Sequence, residues 1–217
     1  MSEFIASLLN NDIQGGFMLK ILIFGAGSIG TFLGTKLYAA GHSVILYGRR
    51  KLKNITDPIL INGEVYKLPP RCYQLAPDEY NVIFITTKLY DIQNTLKQIS
   101  KYHLTAQIIA FIQNGIVDKN FYGEFKNHPG FTTVSVFNGY NLAGNEIVVT
   151  ESNLGLQVDD TLAGEKICEL LISSGIKCHT TSNIAQMRAK KLIANAALNA
   201  LSAIEKKKIG DLIIDKK

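Results

Sequence analysis

The stretch "LKILIFGAGSIG", residues 19–30, restricts the architecture more than any other. A short, unbroken apolar run that ends in glycines reads as a strand buried on both faces, the kind found in parallel sheets. The glycines "GAGSIG" fit the pattern G-x-G-x-x-G between that strand and a helix beginning near Ser28. Gly25 permits a tight turn, Gly27 lets a pyrophosphate approach the backbone, and Gly30 lets helix and strand pack closely. The helix start adds free N–H donors and a positive end. Gly25, Ala26, Gly27, Ser28, Ile29 and Gly30 therefore form a candidate dinucleotide cradle. A plain tight turn between strand and helix would use the same glycines.

The residue that ends the second strand, "HSVILYG" (42–48), discriminates between cofactors. A carboxylate there would hold a ribose 2′-hydroxyl, as in NAD sites. Here the chain reads "LYGRRK", with Arg49, Arg50 and Lys51 and no acid. A guanidinium pairs bidentately with a 2′-phosphate that a carboxylate would repel, so NADP(H) is favoured. Arg49 stands nearest the strand end and is the candidate, while Arg50 and Lys51 also suit a solvated loop.

Further along, "YNVIFIT" (80–86) and "AQIIAFIQNG" (106–115) repeat the buried-strand pattern around a helical stretch at 88–102. "PILINGEVYKL" (58–68) carries the Asn-Gly of a hairpin. "FTTVSVF" (131–137) and "EIVVTES" (146–152) flank a turn-rich "NGYNLAGN", and "NLGLQV" (153–158) adds a strand. A helix over 160–175 and a short strand at 176–180 follow. Strands alternating with helices predict an α/β fold: a Rossmann-type, mostly parallel sheet with helices on both faces.

Composition narrows the function classes. With 47% hydrophobic and 19% charged residues the chain suits a packed globule. No apolar run reaches the roughly 18 residues that a membrane helix needs, so no membrane partner is expected. The net charge is +5, but aromatics do not interleave with the basic runs at 48–53 and 205–217, which argues against nucleic acid. Cys72, Cys168 and Cys178 are odd in number and form no C-x-x-C, which predicts reduced thiols and a cytoplasmic setting. The four histidines show no metal-ligand spacing, and no metal is expected. Residues 1–17 lack the pattern of a signal peptide and read as an N-terminal extension. Residues 18–182 are then expected to form the NADP-binding Rossmann domain, and 183–217 the start of a helical C-terminal domain.

From Asn183, a plausible N-cap, the chain runs helical through "KKLIANAALNALSAI" (190–204). At 100° per residue, Asn195, Asn199 and Ser202 fall within about 80° of Lys191, and the rest of the circle is Ala, Leu or Ile. A helix so apolar is expected to be largely buried. A lysine and two asparagines on one stripe then need partners, and a cleft wall supplies them. A desolvated lysine has a lowered pKa and can act as a proton donor. An interhelical polar layer, with Lys191 reaching the surface, satisfies the same pattern.

"GAGSIG", "ITTKLYD", "FIQNG" and "KKLIANAALNALSAI" occur in the order and spacing of the ketopantoate reductases (2-dehydropantoate 2-reductases), which the chain resembles over about residues 18–212. The resemblance implies NADPH-dependent reduction of the anionic 2-keto acid ketopantoate to pantoate, in pantothenate biosynthesis. It implies that Lys191 protonates the keto oxygen and that Asn195 and Asn199 hydrogen-bond the substrate. It implies that Asn114 sits at the cofactor and substrate junction and that Lys88 lies beside the cofactor. By itself Asn114 reads equally as a turn residue. The family carries a further helical domain, with a serine and a glutamate that complete the substrate site, whereas this chain ends soon after the first helix. It also has Ile209-Gly210 where the family commonly shows Asn-Gly. Two other readings follow: an NADP-binding relative without turnover, serving as sensor or partner protein, and a reductase of another branched 2-keto acid. The apolar flank of helix 183–204 predicts a homo-oligomer.

Overall fold

The computed structural model describes residues 18–48, 55–115 and 118–207. The extension 1–17, the candidate Arg49 with Arg50 and Lys51, and the tail beyond 207 lie outside the described residues. The unit β1 (Lys20–Phe24), α1 (Ser28–Ala39) and β2 (Ser43–Tyr47) opens the fold. Within it, every residue from Ile21 to Phe24 is buried. Successive side chains on a strand point to opposite faces. Ile21 and Ile23 therefore pack with Phe32, Leu33 and Leu37 of α1. Leu22 and Phe24 pack on the other face with Ile92, Leu96 and Ile99 of α2 (Ile92–Lys101). One apolar run thus serves both layers, which is why it shows no alternation.

The remaining strands are β3 (Ile59–Ile61), β4 (Glu64–Tyr66), β5 (Arg71–Cys72), β6 (Asp78–Ile85), β7 (Leu104–Ile112), β8 (Phe131–Val136), β9 (Gly139–Ala143), β10 (Glu146–Thr150), β11 (Leu156–Asp159) and β12 (Cys178–Thr181). Helices α3 (Leu162–Ser173) and α4 (Ile184–Glu205) complete the set. The main sheet has eight strands in the order β12-β11-β8-β7-β6-β1-β2-β5. All its pairs are parallel except β8 with β11. α3 covers the same face as α1, while the 3-10 segment Lys119–Asn127 joins α2 on the opposite face. This is the Rossmann-type architecture expected from the sequence.

A second sheet, β4-β3-β10-β9, was not expected. The Asn-Gly hairpin forms as predicted, with Asn62 and Gly63 both at positive φ between antiparallel β3 and β4. The stretch "NGYNLAGN", expected to be turn-rich, is instead strand β9, antiparallel to β10. Its Tyr140 and Leu142 alternate inward, and the Tyr140 ring lies 4.7 Å from that of Phe32. The β9–β10 hairpin leaves the main sheet at Val136 and returns at Gly155, whose carbonyl accepts the Phe137 N–H at 2.9 Å. A connection that starts and ends at one edge forces β11 to run antiparallel to β8. Asn183 occupies the N-cap position of α4, but its side chain makes no capping bond. Its N–H donates to Thr181 Oγ1 at 3.2 Å instead.

The turn from β1 into α1 is a tight joint. Gly25 holds φ at +121°, which L side chains rarely adopt. A Cβ on Gly30 would lie 1.9 Å from the Gly25 carbonyl oxygen, whereas one on Gly27 would meet nothing within 4 Å. Gly30→Ala should therefore destabilise the fold by roughly 1–3 kcal/mol, despite its gain in helix propensity. Gly27→Ala should change stability by less than about 0.5 kcal/mol. Urea unfolding of the two variants beside wild type measures both. Equal stability of all three would contradict this packing.

Candidate active site

Because β1, β6, β7 and β8 run parallel in adjacent positions, their carboxyl ends share one edge. Hydrogen bonds stitch that edge. Thr86, after β6, donates its N–H to the Phe24 carbonyl at 3.0 Å and its hydroxyl to the Gly25 carbonyl at 2.5 Å. Gln113, after β7, donates its N–H to the Val134 carbonyl at 3.0 Å and its Nε2 to the Thr87 carbonyl at 3.2 Å. The sequence reading singled out Asn114 and overlooked Gln113. A polar residue directly after an apolar strand was the available signal, since a buried amide must be partnered.

The glycine loop lies on this edge beside β6, where the strand order reverses. In open α/β sheets a ligand crevice lies at such a switch point, outside the carboxyl ends of the strands. Helix α1 begins with Gly27 as N-cap, without a side-chain capping bond and without an acid in its first turn. Its first helical bond runs from the Thr31 N–H to the Gly27 carbonyl at 2.8 Å. The N–H groups of the first turn before it have no intrahelical acceptor, so they are disposed to bind an anion. Gly27 is exposed and Ser28 half-buried, whereas Ala26 is buried and Ile29 packs against the core. Ala26 can reach a ligand through backbone alone. The open space at Gly27 and the uncapped donors fit a dinucleotide phosphate. Lys88 follows the end of β6 and is exposed, in extended backbone ahead of the 3-10 turn Leu89–Asp91.

Lys191 comes to the same edge from α4. Its Nζ donates to Asn114 Oδ1 at 3.1 Å and to the carbonyl oxygen of Val136, the last residue of β8. The ammonium lies 5.0 Å from the centroid of the Phe137 ring. Burial pulls its pKa below the ordinary lysine value. Desolvation disfavours the charged form, so the group gives up a proton more readily. The structure thus brings together Lys191 and Asn114, which stand far apart in the sequence.

The expectation that α4 is largely buried is not met. Among its 22 residues only Ile184 and Arg188 are buried. The first turns rest against the sheet and the helix then continues past it, leaving Ile193 70% and Ile204 76% exposed. Asn195 and Asn199 follow Lys191 along the helix and are exposed. Arg188 escaped the sequence reading because the stripe was counted from Lys190 onward. It lies about 60° from Lys191 around the helix, within the same polar sector. Among the described residues no three His, Cys, Asp or Glu side chains gather as a metal site, and no helix is long and apolar enough to cross a membrane.

Comparison with known proteins agrees with this layout. Residues 21–158 match the family model described as "Ketopantoate reductase PanE/ApbA". A 2-dehydropantoate 2-reductase of Archaeoglobus fulgidus is 26% identical over 203 residues, covering 89% of this chain and 67% of the relative. The solved 2-dehydropantoate 2-reductase from Geobacter metallireducens superposes with a TM-score of 0.73 at 21% identity, covering 92% of this chain and 69% of that one. A D-mandelate dehydrogenase solved with NADH and anilino(oxo)acetate gives 0.71 at 21% identity, covering 86% and 64%. The chain therefore spans about two thirds of the length of these relatives. With the family model covering most of its sheet, the chain belongs to the ketopantoate reductase family.

Proposed function

We propose that the protein reduces a 2-keto acid, ketopantoate, to the 2-hydroxy acid with NADPH. The observation that carries this reading is the half-buried Lys191 ammonium, held by Asn114 and the end of β8 on the edge that also bears the glycine loop. Bound NADPH supplies the hydride for the keto carbon. The first turn of α1 binds the pyrophosphate through its free N–H groups. Arg49, following β2, pairs with the 2′-phosphate, and Lys88 borders the cofactor. Asn114 fixes the lysine and spans the junction of cofactor and substrate.

As the keto carbon is reduced, the carbonyl electrons move to its oxygen. Lys191 donates a proton there, leaving a neutral amine that solvent reprotonates. Its lowered pKa suits the task, because a donor works best when its pKa approaches the working pH. Asn195 and Asn199 stand about 6 and 12 Å further along the helix axis. They hold the hydroxyl and carboxylate ends of the substrate. The exposure of both asparagines motivates a second reading, an NADP-binding chain without turnover. Reduction of another branched 2-keto acid remains the alternative within the enzyme class, and a substrate panel separates it.

Two outcomes test the proposal. NADPH should bind more tightly than NADH, and Arg49→Ala should erase roughly 1.5–3 kcal/mol of that preference, the scale of hydrogen bonds to charged groups. Equal wild-type affinities in a fluorescence titration would count against it. Lys191→Ala should leave NADPH affinity within a few-fold and lower turnover with ketopantoate by roughly 10²–10⁴. Wild-type turnover should also fall as pH rises through the depressed lysine pKa, because only the ammonium donates. That alkaline limb should vanish in Lys191→Ala, and its survival would exclude Lys191 as the acid.

A further inference from the structure

Arg188 is 7% exposed, deeper than any other Lys or Arg side chain of α4. Its Nε donates to Ser135 Oγ at 2.5 Å and its Nη2 to the Val134 carbonyl at 3.3 Å, both on β8. Guanidinium groups are rarely buried unless well partnered, and a lost partner leaves a costly charge. Tyr122 and Asp159 share its surroundings. Burial raises the Tyr122 hydroxyl pKa, and the Arg188 charge opposes that rise. Asp159 Oδ2 is occupied by the N–H of Thr133 at 3.2 Å and by the Thr133 hydroxyl.

This grip is continuous with the site. The Val134 carbonyl that takes Nη2 also accepts the Gln113 N–H at 3.0 Å, and Gln113 directly precedes Asn114. Three residues after Arg188 on α4, Lys191 reaches Asn114 and the Val136 carbonyl, two residues after Val134 on β8. Within a strand, carbonyls two residues apart point the same way. Helix α4 is therefore docked by two cations on successive like-facing carbonyls of one strand. Of the other residues of the helix, Ile184 is buried, Met187, Ala189, Leu198 and Ser202 are half-buried, and the rest are exposed.

We propose that Arg188 is the positioning residue of this site: its fork on Ser135 and Val134 sets the height and rotation of α4, and thereby seats Lys191 against Asn114 and the end of β8. It touches neither substrate nor cofactor and acts through Lys191. This inference takes the role of Lys191 from the proposed function, but the seating itself is measurable without catalysis.

Lys191 meets Asn114 after β7, the Val136 carbonyl and the Phe137 ring after β8; the charged residues near it along its own helix are Arg188 and Lys190, and Tyr122 and Asp159 act on or with Arg188 from the sheet side. Competitive labelling with trace acetic anhydride across a pH series, read by tandem mass spectrometry, gives separate titration midpoints for Lys191 and exposed Lys190. In wild type the Lys191 midpoint should lie below that of Lys190. In Arg188→Met it should rise toward Lys190, by about one pH unit, a tenfold change in the proton equilibrium. Arg188→Lys keeps the charge but cannot span both acceptors, and Ser135→Ala removes one of them. Both should shift the midpoint part of the way. A variant that merely loosened the fold would also open Lys166 of α3, 5% exposed, to the label, so a Lys191 shift with Lys166 labelling unchanged marks displacement of α4 alone. An unmoved Lys191 midpoint in folded Arg188→Met would overturn the proposal. If that variant does not fold, unmoved midpoints in both Arg188→Lys and Ser135→Ala would overturn it equally. Absence of wild-type ketopantoate turnover would instead strike the reductase reading and leave this comparison standing.

Discussion

The close approach of α1 to the end of β1 is the constraint on which the site depends. Because Gly25 and Gly30 carry no Cβ, the first turn of the helix sits almost on the strand terminus. This approach leaves the uncapped N–H groups of α1 on the edge where β6, β7 and β8 also end. A bulkier joint would lift the helix and separate the anion-binding end from Asn114. Thr86 ties the arrangement down by donating its hydroxyl to the Gly25 carbonyl, so the strand beside the loop fixes its height.

Against that edge the protein places a lysine in a setting that water alone would not favour. The ammonium of Lys191 loses part of its hydration and gains two oxygen acceptors and the Phe137 ring. The lost hydration lowers its hold on the proton, while the acceptors and the ring favour the charged form and oppose that loss. An interhelical polar layer would explain the same sequence pattern, but Lys191 meets strand ends and not a neighbouring helix. The contact is between α4 and the sheet, at the point where parallel-sheet enzymes gather their ligands.

What could be read from sequence was local. The run at 19–24, the glycine turn and the Asn-Gly hairpin carry their conformations in residue type, and the structure has them where expected. Less legible was the choice of partners. β9 is rich in Asn and Gly and looked like a turn, yet the inward alternation of Tyr140 and Leu142 makes it a strand once Phe32 and β10 are near. The reversal of β11 follows from where that hairpin returns, which no local pattern records. For α4, apolar composition suggested burial, while only its first turns meet the sheet. Arg188 went unnoticed because a buried guanidinium is recognised by the acceptors that surround it, and Ser135 and Val134 lie far away in sequence. Arg49 falls outside the described residues, and its case rests on the absence of an acid after β2.

The most direct test of the central claim follows an isotope. Ketopantoate is incubated with the protein and NADPH carrying deuterium at both C4 positions of the nicotinamide, and the pantoate formed is examined by mass spectrometry and proton NMR. The account predicts one deuterium at the C2 carbon in the labelled reaction. It predicts none at that carbon when unlabelled NADPH is used in D2O, since the solvent-derived proton goes to oxygen. Pantoate with hydrogen at C2 from deuterated cofactor, or no pantoate at all from a protein that binds NADPH, would contradict it.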